Sequence, residues 1–116
     1  MSPALRLLCG GLSGAFGVAL AAYAAHGRLS PEAARLLGRA ADMALWHAPL
    51  LLFLGLWGRG GAATLAALAA LFGVILFSGS VAALGFGLIA RTPLAPLGGT
   101  LCILAWLLTA YAGWRG

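Results

Sequence analysis

Charge is what this sequence has least of. Charged side chains make up 8% of its 116 residues, against about 25% in ordinary soluble domains. Only Glu32 and Asp42 are acidic, lysine is absent, and Gly60 to Ala90 carries no charged side chain. With 63% hydrophobic residues and a mean hydropathy of +1.05, the chain is excluded from the water-soluble class. The formal net charge of +5 does not point to nucleic acid. The arginines stand singly between apolar runs, whereas nucleic-acid binders gather charge on one face. The only cysteines, Cys9 and Cys102, fall in the first and last apolar runs at different expected depths. A disulfide needs Cα atoms within about 7 Å, so both are read as reduced packing residues. Clustered metal ligands are missing, as are a phosphate-binding loop and a nucleophile with base and oxyanion donors. Neither cofactor, metal nor enzymatic activity is expected.

What is present is a series of apolar runs. A bilayer core about 30 Å thick needs roughly 20 helical residues to cross it. The arginines and loop residues divide the chain into four crossings, at about 5–26, 40–57, 62–90 and 97–114. Ser30-Pro31-Glu32 is a helix start: a serine cap, proline at the first position and an acid near the positive dipole end. Arg35, Arg39 and Asp42 then share one stripe, as suits a short interfacial helix running into the second crossing. The fold expected over residues 1–116 is an all-α, antiparallel bundle of four transmembrane helices in one domain. Ala22-Tyr23-Ala24 imitates a signal cleavage site, but a run this rich in Gly and Ala reads as a retained helix. In this bundle Arg6, Arg59 and Arg115 share one face, and Arg28, Arg35, Arg39 and Arg91 the other. Counts of three and four leave orientation undecided by the positive-inside rule.

Small residues suggest where helices approach one another. Gly10, Gly14 and Gly17 on the first helix, Gly73 and Gly79 on the third, and Gly98 and Gly99 on the fourth are the expected packing positions. Pro49, inside the second helix, cannot donate to the Leu45 carbonyl. The polar groups crowd toward one side: Tyr23, His26, His47, Ser78, Ser80 and Thr100. Unpartnered polar groups in lipid cost several kcal/mol each. They are therefore expected to meet in a polar pocket around His47, Ser78 and Ser80, closed by His26.

Several stretches together resemble the YgdD-like small membrane proteins. They are Ala22-Tyr23-Ala24-Ala25-His26-Gly27, His47-Ala48, Gly73 to Ser80, Pro96-Leu97-Gly98-Gly99 and Trp106. Ala95, Ala105, Val81-Ala82 and Pro49 depart from that pattern. The resemblance implies a multi-pass protein of the bacterial inner membrane, with mitochondrial relatives, and brings no activity or catalytic residues.

The reading that follows is a non-enzymatic membrane protein that packs with copies of itself or with a larger membrane complex. Its partners would be the lipid bilayer and other membrane helices. The alternative is a small transporter or channel using the His47/Ser78/Ser80 pocket.

Overall fold

A computed structural model describes all 116 residues and contains four helices and no strands. Helix α1 spans Pro3–His26, α2 Pro31–Leu56, α3 Gly60–Gly85 and α4 Ala95–Arg115. Three of them, α1, α3 and α4, are long and apolar enough to cross a membrane. The longest dimension of the molecule is 47 Å, which exceeds a hydrocarbon core of about 30 Å.

Local sequence explains the ends. The Ser2 hydroxyl accepts the Leu5 amide before α1, and Ser30 accepts the Ala33 amide before α2, both at 3.1 Å. Pro3 and Pro31 follow these caps, where a missing N–H removes nothing the helix needs. The third helix has no side-chain cap; it begins at Gly60, whose φ of +79° turns the chain in from extended Arg59. It stops at Gly85 rather than continuing to Ala90. Gly87, with φ +76°, reverses the chain there, and residues 86–94 form the link to α4. The second helix is unbroken from Pro31 through Pro49 to Leu56.

Helix α1 packs on α2, α2 on α3 and α3 on α4. Alanine dominates the seams. One cluster joins Leu50, Leu51 and Leu54 of α2 to Ala63, Ala66, Ala67 and Ala70 of α3 and Ala105 of α4. The other joins Leu20 to Leu37, Ala40, Ala41, Val81, Ala82 and Ala95. In lipid, helix association is driven by close van der Waals packing rather than by escape from water, and small side chains permit it.

Glycine creates the closest approaches. A Cβ on Gly10 would lie 2.8 Å from Leu52, and one on Gly17 2.7 Å from Leu45. On the other seam, a Cβ on Gly73 would meet the Cys102 sulfur at 2.7 Å and the Gly98 carbonyl at 3.0 Å. One on Gly98 would drive into the backbone amide of Phe77. Gly14 and Gly99 make ordinary contacts, with neighbours at 3.6 and 3.8 Å. The expected packing role of Gly79 does not hold within the chain: it faces open space, on a groove edged by Cys9, Leu12 and Phe16. Gly55 and Gly85, not singled out from sequence, receive Leu7 and Leu37 instead.

Candidate functional site

The polar side chains inside the bundle converge on α2, one helix at a time. His47 is 2% exposed on the α2 face toward α4. Its Nδ1 lies 2.7 Å from the Met43 carbonyl, and the Trp106 indole N–H donates to its Nε2 at 3.1 Å. Indole can only donate, so Nε2 is the acceptor and Nδ1 carries the hydrogen given to Met43. The rings meet edge to face, with centroids 5.9 Å apart. Both ring nitrogens are thereby used.

From α3, the buried Ser78 hydroxyl donates to the Ala40 carbonyl at 2.8 Å. From α1, Ser13 donates to the Ala44 carbonyl, also at 2.8 Å. That carbonyl adjoins Leu45, whose normal helical donor is lost at Pro49. Arg6 makes the largest set of bonds. It is 4% exposed, and its guanidinium donates to the Leu54 and Gly58 carbonyls at 2.9 and 3.0 Å and to the Thr64 hydroxyl at 2.8 Å. No carboxylate pairs with it; its balancing charge is the negative end of the α2 dipole.

The six residues expected to share a pocket do not form one network. Ser80 turns back to the carbonyls of Leu76 and Phe77, and Thr100 to that of Pro96. Tyr23 packs its ring at a tilt against Phe86, centroids 5.7 Å apart, and His26 is exposed at the end of α1. Ser78 lies opposite Ala40, seven residues before His47, a separation of about 10 Å along a helix. The hydroxyls found backbone carbonyls nearer than one another, and each was satisfied separately. None of the principal hollows is lined by His47, Ser78 or Ser80.

Arg6, Ser13 and Trp106 carry more of this arrangement than the residue types suggested. The signal for Arg6 lay in its spacing. Arg6, Gly10, Ser13, Gly17 and Leu20 recur on one helical stripe, the face of α1 laid on α2. An arginine on a stripe that otherwise packs closely has to find acceptors inside.

Comparison with known proteins agrees with a membrane protein. The family model described as "Protein of unknown function (DUF423)" matches residues 19–99, which include His26, His47, Ser78 and Gly98. A "UPF0382 membrane protein" of Haemophilus influenzae is 34% identical over 110 residues, covering 90% of this chain and 89% of that protein. No solved structure matches the chain. With most of its length inside the family model and three helices able to span a bilayer, the chain is a membrane protein belonging to the DUF423 family.

Proposed function

We propose that the chain is a four-crossing antiparallel bundle of the bacterial inner membrane, a non-enzymatic structural or accessory protein that packs with copies of itself or with a larger membrane complex. The order of contacts along α1 and α2 supports the antiparallel sense: Pro3 lies by Gly55, Gly10 by Ala48 and Leu52, and Gly17 by Ala41 and Leu45. In this reading α2 completes the crossings although it is the least apolar helix, since α1 and α3 cover much of its surface. Its first turns, exposing Glu32, Arg35 and Arg39, lie in the headgroup layer.

The observation that carries the association is the outer face of α1. Gly11, Ala15, Ala19 and Ala22 are exposed at spacings of four, four and three, and nothing lies within 4 Å of where a Gly11 Cβ would stand. The chain's own close-packing stripe on α1 is the opposite one, so this second small-residue face is free for another helix. Disulfide crosslinking of Ala15→Cys and Ala19→Cys variants in native membranes tests it. Adducts at these positions, absent from an Ile103→Cys control exposed on α4, are expected. Recovery of monomer alone would overturn the proposal. The transporter reading gains nothing from the packing, because His47, Ser78 and Ser80 are each bonded separately and border no principal hollow.

A further inference from the structure

At the end of the bundle where α2 turns into α3 and α4 finishes, two hollows adjoin. One, of about 360 Å³, is bordered by Arg59, Gly60, Gly61, Tyr111 and Arg115. The other, of about 380 Å³, shares Arg59 but continues against Leu56 and Trp57. We propose that these hollows together hold an anionic phospholipid, its phosphate against Arg59 and Arg115 and its glycerol and first methylenes against Trp57 and Leu56.

Three features support a phosphate here. Neither arginine makes a hydrogen bond or ion pair within the chain; the single ion pair, Glu32 with Arg35, lies near the start of α2. Both acidic side chains, Glu32 and Asp42, belong to the first half of α2, so the region holds no carboxylate side chain. The Gly116 carboxylate borders both hollows but pairs with neither arginine. Third, α3 begins here without a side-chain cap, so its first amides lack intrahelical partners and are free to donate to an anion.

Two observations favour a lipid over a free anion. Trp57 and Tyr111 are the residue types that settle at headgroup depth. The basic hollow also shares Arg59 and Ala112 with its neighbour, whose far side is apolar, formed by Trp57 and by Leu56 with 80% of its surface exposed. A soluble phosphate would use only the first.

Purified protein from vesicles of equimolar phosphatidylcholine and phosphatidylglycerol, read by native mass spectrometry, tests the assignment. The wild-type chain is expected to retain phosphatidylglycerol in clear excess. In Arg59→Gln/Arg115→Gln that excess should fall about tenfold, from the loss of two cations near an anionic surface. Arg59→Lys/Arg115→Lys should keep most of it, and Arg28→Gln/Arg91→Gln at the other end should leave it unchanged. Circular dichroism establishes that each variant is folded, and Arg115→Gln alone serves if the double change is not. Equal excess in wild type and the glutamine variant would overturn the proposal. So would an equal loss in Arg28→Gln/Arg91→Gln, or displacement of the lipid by millimolar glycerol phosphate.

Discussion

Trp106 and His47 stand 59 positions apart and meet through one hydrogen bond, indole N–H to imidazole Nε2 at 3.1 Å. It is the polar tie between α4 and α2; those helices otherwise communicate through the α3 seam between them. Replacing Trp106 with Phe keeps an aromatic side chain, though a smaller one, and removes the donor, leaving Nε2 buried without a partner. The expected cost is about 1–2 kcal/mol. A double-mutant cycle of Trp106→Phe with His47→Ala, read from unfolding in detergent, should show coupling of about 0.5–1.5 kcal/mol. Additive effects would mean that the contact contributes nothing.

Arg6 should be the most sensitive charged position. Arg6→Met preserves much of the side-chain volume but releases the Leu54 and Gly58 carbonyls and the Thr64 hydroxyl together. Hydrogen bonds from a charged donor are each worth about 1.5–3 kcal/mol, so a loss of at least the lower figure is expected. Arg35→Met, removing an exposed i,i+3 pair, should cost under about 1 kcal/mol. Thermal unfolding of the two variants side by side decides it.

The glycines divide into those that can and cannot carry a methyl group. Gly98→Ala and Gly73→Ala place a Cβ against backbone or sulfur on the facing helix. Overpacking of that kind costs about 1–3 kcal/mol. Gly79→Ala and Gly14→Ala meet open space or an ordinary contact, and a glycine inside a helix costs about 1 kcal/mol relative to alanine. These two changes should be neutral or stabilising. Midpoints ordered Gly79→Ala, Gly14→Ala, then Gly73→Ala and Gly98→Ala, from highest to lowest, are the expected result.

Serine makes a parallel contrast. Ser78→Ala removes the bond to Ala40 across the α2–α3 seam, with an expected loss of about 0.5–1.5 kcal/mol. Ser80 bonds only within its own helix, and Ser80→Ala should change stability by less than about 0.5 kcal/mol. Equal effects of the two would contradict the separate bonding of these hydroxyls.

Much of the secondary structure is legible in the sequence, because the caps are local chemistry. Ser30-Pro31-Glu32 specifies a helix start from three adjacent residues, and the α2–α3 turn falls among Gly58, Arg59 and Gly60. The end of α3 was less legible, since Phe86, Leu88 and Ile89 are as apolar as the helix before them and only Gly87 marks the reversal. Interior polar bonding was the least legible. Whether Ser78 meets His47 or Ala40 depends on the axial register of two helices, and one residue of slip moves a side chain by about 1.5 Å along the axis. Backbone carbonyls are also acceptors that every residue supplies, so residue identity cannot announce them. Arg6 shows both limits: two of its three acceptors are main-chain groups 48 and 52 positions away.

The position of α2 as recipient has a consequence for how the bundle comes apart. Arg6 and Ser13 donate to it from one side, Ser78 from another and Trp106 from a third. A chain of four helices could in principle separate into two hairpins, each keeping its own seam. Here the first hairpin contains the acceptors of the second, so parting them strands the Ser78 hydroxyl and the Trp106 indole in hydrocarbon. The molecule should therefore lose its structure in one cooperative step, and proteolytic or genetic halving at the α2–α3 turn should yield fragments that find each other again in the membrane.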